Sequence, residues 1–406
     1  MSGRRGGGHR SRAAHPVPHS LGRVGGRVRR AAATALLGLL LAGCATFPDQ
    51  GPREWREQVE GAGELGGPPV VPEPSQPPAP PPGGSAGQPG SPQPPGGCVD
   101  PDPQVVATCL EPVGAIAVLP DGRSALVAER ATGRVLRVQR GSDPVLVTTV
   151  PVDASGGGGL TGLVLSPSYK EDQLVYAYAT TREDNRVLRI APGEAPKPVL
   201  TGIPRGPRNN GGALGVDVDG SLLVATGDAG GDPAVPGSLA GKLLRIDTLG
   251  RPAEGNPDPG SRVLSSGLRA PAGICTDPVT TMAWVTDRTG TQDVLHLVVP
   301  GPLPAPAWTW PDRPGVAGCV AQPGMVAIAL TGAAALFVLH PGENAVFTGT
   351  PEKMLTGTYG RLSAAALAPD GLLWLGTVNK AGGAPVPSDD RVIRIQPPSG
   401  GGESRT

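Results

Sequence analysis

Aromatic residues make up only 3% of this 406-residue chain. A core built around large rings is therefore excluded, and the interior must come from Val, Leu, Ile and Ala, a mixture that suits short strands. Histidine is equally scarce: of five, His9, His15 and His19 fall within the first 43 residues, leaving His296 and His340 for the rest. No CxxC spacing is present, and neither later histidine lies near a cysteine pair, which argues against a structural zinc site. Long apolar runs are missing too. The run Ala31 to Ala42, AAATALLGLLLA, has 12 residues, well short of the roughly 20 that a helix needs to cross a bilayer. Net positive charge is absent as well, since the formal charge is +0. That zero hides an asymmetry. Residues 1–43 hold eight arginines and no acid, so removing them leaves 27 basic against 35 acidic residues. Such a balance argues against nucleic acid or an anionic membrane surface as the main partner.

What is present begins with targeting. An arginine-rich segment, the 12-residue apolar run and Leu41-Ala42-Gly43-Cys44 have the layout of a secretory signal that ends in a lipobox. The expectation is a signal peptide over 1–43, lipidation of Cys44, and a domain held at the cell membrane on its extracytoplasmic side. The lipid anchor is then the membrane partner. Acyl chains would hold it firmly, at about 0.8 kcal/mol per buried methylene.

Pro68 to Gly97 carries 13 prolines in 30 residues. Such a stretch cannot pack a core and favours extended polyproline II at about 3.1 Å per residue. Residues 44–97 are expected to be a disordered Pro/Gly-rich stalk, residues 98–398 one folded domain, and residues 399–406 a disordered tail. Beyond Cys44 four cysteines remain, Cys98, Cys109, Cys275 and Cys319. An even number in an oxidising compartment points to two disulfides. Three pairings are possible; Cys98 with Cys109 and Cys275 with Cys319 is preferred, because the first pair brackets the start of the domain.

From Pro112 to Pro397 one unit recurs: an apolar strand, a tight turn, a second apolar strand, a loop, and a third strand often written V-L-R-I. Copies read Ile116 to Val138, Leu163 to Ile190 and Leu214 to Ile246, with others beginning near Gly273, Val326 and Ala365. Asp121-Gly122, Asp219-Gly220 and Asp370-Gly371 are hairpin signals, because the tight turn needs positive φ. Six repeats of three or four strands predict an all-β, six-bladed β-propeller, expected to be monomeric.

The motifs inside these repeats carry a resemblance. Leu119-Pro-Asp-Gly-Arg123, Ala128-Glu-Arg130, Gly158-Gly-Leu-Thr-Gly162, Gly211-Gly212, Thr226-Gly-Asp228 and Ser238-Leu-Ala-Gly-Lys-Leu-Leu-Arg-Ile-Asp247 resemble the glucose/sorbosone dehydrogenases, the soluble PQQ-dependent sugar dehydrogenases. With its lipobox, stalk and four cysteines the chain is similar to a divergent lipoprotein branch of that family. The resemblance implies bound PQQ, Ca²⁺ and a histidine, in H-N-G-G-R-L, that takes the proton of a sugar hydroxyl. Here that stretch reads Asn209-Asn210-Gly211-Gly212-Ala213-Leu214, and an asparagine amide is no general base near neutral pH. The family's G-H-R-N-P-Q-G appears as Gly267-Leu-Arg269-Ala270-Pro271-Ala-Gly273, and its G-R-I-R-D as Gly360-Arg361-Leu-Ser363-Ala. Each keeps one arginine suited to a quinone carboxylate. The cation loop corresponds to Arg288-Thr-Gly-Thr-Gln-Asp293-Val, with Asp293 as its remaining carboxylate.

Three functions follow as alternatives. The first is a lipoprotein whose propeller binds a carbohydrate or small polar ligand through Asn209, Asn210, Arg269, Arg361 and Asp228, without dehydrogenase chemistry. The second is an active PQQ-dependent oxidoreductase of sugars or other alcohols, with Asp228 or Asp293 as a substitute base. The third is a lactonase-like hydrolase, which needs a central divalent metal held by several carboxylates and amides.

Overall fold

The computed structural model describes residues 98–398. The signal sequence, Cys44, the stalk and the tail at 399–406 lie outside the described residues. The domain is a six-bladed β-propeller, one antiparallel sheet per repeat. The innermost strands are Val113–Val118, Leu160–Leu165, Gly212–Val216, Pro271–Thr276, Val316–Gln322 and Leu362–Leu367. The fifth copy, expected to start near Val326, begins one strand earlier. Its inner strand Val316–Gln322 leads into Met325–Leu330 through Pro323-Gly324 rather than Asp-Gly, so the hairpin signal used for the other copies is missing there.

The second strands Ser124–Glu129, Val175–Thr180, Leu222–Thr226, Met325–Leu330 and Leu373–Thr377 are buried at every position. An isolated sheet would bury one face and show alternation; these strands are sandwiched between neighbouring blades on both. Six hydrophobic clusters fill the six blade-to-blade interfaces, so Val127 packs toward blade six and Leu126 toward blade two. At roughly 25 cal/mol per Å² of apolar surface buried, these interfaces dominate the stability of the ring. The outermost strand Ser142–Thr149 is largely exposed, consistent with its having one covered edge and no further layer.

The V-L-R-I arginines and the turn aspartates, read as separate signals in the sequence, are partners. Arg137 pairs with Asp121 at 3.6 Å, Arg245 with Asp217 at 2.8 Å and with Asp219, and Arg394 with Asp370. Each pair ties a first turn to the third strand of its own blade.

Closure of the ring uses the two ends of the domain. Val105–Ala107 adds antiparallel to Val392–Ile395 as the outer strand of blade six. The segment before it is pinned by Asp100 to Arg391 at 3.0 Å and by the Tyr359 hydroxyl, which donates to Asp102 at 2.7 Å and Gln104 at 2.8 Å. Cys98 is bonded to Cys109, and Cys275 to Cys319, the preferred pairing. The second bridge joins the innermost strands of blades four and five.

Close approach of the inner strands explains several glycines. A Cβ at Gly114 would lie 2.1 Å from the Leu160 carbonyl oxygen, and one at Gly273 would lie 2.7 Å from that of Ala317. Alanine at either place would push neighbouring blades apart. The inner strands surround an axial cavity of about 300 Å³, lined mainly by apolar residues and by the Cys275–Cys319 bridge.

Candidate functional site

In each blade, the turn between second and third strands and the crossover to the next blade emerge at the same end of the ring. The candidate ligand, cofactor and metal residues, Asn209, Asn210, Asp228, Arg269, Asp293 and Arg361, lie at this end, the mouth above the axial cavity. Buried polar side chains hold its crossovers. Glu129, fully buried, accepts the Glu111 N–H at 2.9 Å and two bonds from Arg134, at 2.6 and 2.8 Å. Burial alone would raise its pKa, but Arg134 and Thr132 outweigh it and hold the carboxyl below its ordinary value. Asp287, 1% exposed, accepts the N–H groups of Arg269 at 2.9 Å and Ala270 at 2.6 Å. Here burial dominates over those bonds, and its pKa is pushed up to about 6.

Asn209 sits in the left-handed region at φ 55°, a conformation that asparagine tolerates better than most residues. Its Nδ2 donates to Asp228 Oδ1 at 2.9 Å. Asp228, 3% exposed, also accepts the Gly230 N–H at 2.7 Å and an ion pair from Arg269 at 3.2 Å. Asn209, Asp228 and Arg269 therefore form one connected cluster, and the Asn209 amide oxygen makes no hydrogen bond among the described residues. Three donors therefore already meet the Asp228 carboxylate.

Two further expectations need correction. Asn210, read as a ligand candidate, is fully buried, and its side chain ties its own loop to the preceding crossover: Oδ1 accepts the Gly206 N–H at 2.8 Å, while Nδ2 donates to the carbonyls of Gly206 at 2.7 Å and Gly156 at 3.1 Å. Asp293, read as a metal ligand or alternative base, is 1% exposed, and its Oδ2 accepts the N–H groups of Gly315 at 2.6 Å and Val316 at 3.0 Å. It caps the next crossover. Among the described residues no group of three or more His, Cys, Asp or Glu could hold a metal ion.

Arg361 reaches the same end of the ring, its N–H donating to Asn379 Oδ1 at 2.7 Å and its Nη1 to the Gly382 carbonyl at 2.8 Å. Arg269 and Arg361 thus share a face, but each is held by a different loop and the two are not in contact. Two arginines that were not singled out join them. Arg130 donates to the carbonyls of Gly158 at 2.9 Å and Gly157 at 2.7 Å, beside the Asn209 backbone. Arg288 ends the strand Ala283–Arg288 and is exposed. Burial lowers the pKa of both. The Arg288 charge adds to this for Arg130, and the Arg361 charge for Arg288 against the pull of Asp293 and Asp287. The available signal was an acid followed by arginine at the end of a second strand, Glu129-Arg130 and Asp287-Arg288. The two histidines are elsewhere: His296 is buried in a third strand with Nδ1 unpartnered, and His340 bonds Gly324 and Glu352.

A ring of six blades, five of four strands and the third of five, with a polar, arginine-lined mouth defines the class, a propeller of the sugar-dehydrogenase type. The glucose/sorbosone dehydrogenase family model matches residues 110–311. The PQQ-bound form of aldose sugar dehydrogenase from Streptomyces coelicolor is 33% identical, with a TM-score of 0.68 over 72% of this chain and 96% of that one. A glucose dehydrogenase-like putative oxidoreductase from Thermus thermophilus is also 33% identical, with a TM-score of 0.66 over 72% and 98%. Quinoprotein glucose dehydrogenase B of Acinetobacter calcoaceticus is 24% identical over 258 residues, and the chain spans about half of that relative's length, 53%. The chain belongs to the glucose/sorbosone dehydrogenase family.

Proposed function

We propose that this protein is an extracytoplasmic lipoprotein, anchored through Cys44, whose propeller binds a small polar or carbohydrate ligand at the arginine-lined mouth without oxidising it. The observation that carries this reading is Asn209. It occupies the position that the family resemblance gives to the proton-accepting histidine, and its amide is tied to Asp228 at 2.9 Å, leaving a hydroxyl-orienting oxygen but no base.

PQQ would supply a hydride acceptor, and the arginines suit its carboxylates. The rest of the set does not fit a calcium-bridged quinone. A calcium ion takes six to eight oxygens, whereas Asp287 and Asp293 are committed to backbone N–H groups. The active oxidoreductase stands as the second reading, favoured by the 33% identity to a protein solved with PQQ bound.

Incubating the chain with PQQ and Ca²⁺ and following reduction of an artificial electron acceptor across a panel of aldoses separates the two. No turnover is expected, while turnover that Arg269→Ala abolishes would establish the enzyme instead. For the anchor, Cys44→Ala is expected to release the protein from membranes, with the diacylglycerol mass lost from its N-terminal peptide.

A further inference from the structure

The far end of the ring, opposite the mouth, repeats one ion pair in three blades and leaves it incomplete in a fourth. In blades one, three and six an arginine of the third strand pairs with an aspartate of the first turn: Arg137 with Asp121, Arg245 with Asp217, and Arg394 with Asp370. The three arginines hold one structural position. Each lies opposite a second-strand residue that packs toward the following blade, Leu126, Leu223 and Trp374 respectively, and cross-strand partners share a face. In blade four the matching second-strand residue is Trp284, packed toward blade five, and its partner is Leu297. The aspartate remains. Asp277 directly follows the inner strand Pro271–Thr276, as Asp217 follows Gly212–Val216.

Asp277 is 1% exposed. Its Oδ1 accepts the N–H groups of Val279 at 2.8 Å and Thr280 at 3.2 Å, whereas Oδ2 is buried and has no hydrogen-bond partner among the described residues. A carboxylate oxygen in this state is costly, because burial removes its water without supplying a donor. Asp277 lines a pocket of about 510 Å³ between blades four and five, together with Thr280 and Met282 of its own hairpin and Gly324, Pro341 and Asn344 from turns of blade five. None of the lining residues is basic. His340, on the strand that leads into the second of those turns, is engaged by the Gly324 carbonyl at 3.0 Å and by Glu352 at 3.2 Å. Blade four thus keeps the acid of the ion pair, has leucine in place of its arginine, and holds an open volume beside the acid on the side of blade five.

We propose that this inter-blade pocket binds a small ligand through an alkyl guanidinium group, which takes the place of the missing arginine against Asp277, with its stem along Met282 and Pro341. A guanidinium donates paired N–H groups to a carboxylate and is more weakly hydrated than an ammonium, so burial costs it less. The site lies at the opposite end of the ring from Asn209, Arg269 and Arg361 and does not depend on the reading of the mouth.

The test is isothermal titration of the full chain with n-butylguanidinium chloride and with n-butylurea, a neutral ligand of nearly the same shape. The cation is expected to bind about tenfold or more tightly than the urea, a difference of roughly 1.4 kcal/mol. Asp277→Asn should erase that preference. Its amide oxygen can still accept the Val279 and Thr280 N–H groups, so a thermal midpoint near the parent's is expected. Leu297→Arg, which supplies the arginine of the other blades from within the chain, should raise the midpoint and weaken binding of the cation about tenfold or more. Equal affinity for the two ligands, a preference that survives Asp277→Asn, or no saturable binding of the cation at millimolar concentration overturns the proposal. So does a Leu297→Arg variant that keeps the parent's midpoint and takes up the cation undiminished.

Discussion

Removing the Cys275–Cys319 bridge should destabilise the domain more than removing Cys98–Cys109, and sequence separation sets the difference. The first closes a separation of 44 residues and the second one of 11. In the chain-entropy treatment, loop closure of these lengths constrains the unfolded chain by about 4 and about 3 kcal/mol respectively. The longer bridge also joins inner strands of different blades, and both its cysteines are well shielded, Cys275 at 5% and Cys319 at 4% exposure. Alanine is the suitable replacement, since serine would bury a hydroxyl beside the apolar cavity. For a domain of this size each kcal/mol moves the midpoint by roughly 2 °C, so Cys275→Ala/Cys319→Ala should melt about 8 °C below the parent and Cys98→Ala/Cys109→Ala about 6 °C below. Denaturant unfolding of the oxidised parent and both double variants measures this directly. A loss under about 1 kcal/mol for the inter-blade bridge, or a larger loss for the terminal one, would refute the reasoning. The second outcome would mean that clamping the closing strand Val105–Ala107 matters more than loop length.

Other outcomes follow from single contacts. Gly114→Ala should cost about 2 kcal/mol or more in thermal or urea unfolding, because its Cβ would meet the Leu160 carbonyl oxygen at 2.1 Å and overpacking forces the inner strands apart. Tyr359→Phe removes the bonds to Asp102 and Gln104; a loss of about 1–2 kcal/mol is expected, with hydrogen exchange accelerated first over residues 100–107. Asp287 gives a pH signature. Its folded pKa of about 6 lies above the ordinary 3.8, so the folded state holds the extra proton between these values. Stability should therefore fall as pH rises from about 4 to about 6, by up to the order of 3 kcal/mol, and be flat above. Urea midpoints of the parent and Asp287→Asn across pH 4–7 test this, the variant losing that slope.

The ring was legible because its signals are local. Asp-Gly turns fix hairpins, and in three blades the third-strand arginine meets the turn aspartate of its own blade. Blade five was misplaced by one strand because Pro323-Gly324 replaces that turn. The three-residue strand Val105–Ala107 has no neighbour in sequence to announce it, since its partner lies almost 290 residues later at Val392–Ile395. The mouth was half legible. Family motifs pointed to Asn209, Asp228, Arg269 and Arg361, but a motif does not say where a side chain's bonds go, and Asn210 and Asp293 proved to serve the loops. Arg130 and Arg288 end strands in blades far apart along the chain. They come to one end of the ring only once six blades close, so each alone reads as an ordinary solvated charge.

The way the chain enters and leaves the ring decides how the molecule can be presented. Cys98 is bonded to Cys109, whose N–H donates to Ser388 in the long blade-six turn beside the mouth. The last strand, Val392–Ile395, runs from that turn down to the opposite end. Anything attached ahead of Cys98 therefore leaves from the arginine face, and anything attached after Pro398 leaves from the far one. A sensor chip coupled through the C-terminal side would display the mouth to solution, whereas coupling just before Cys98 would turn it toward the support.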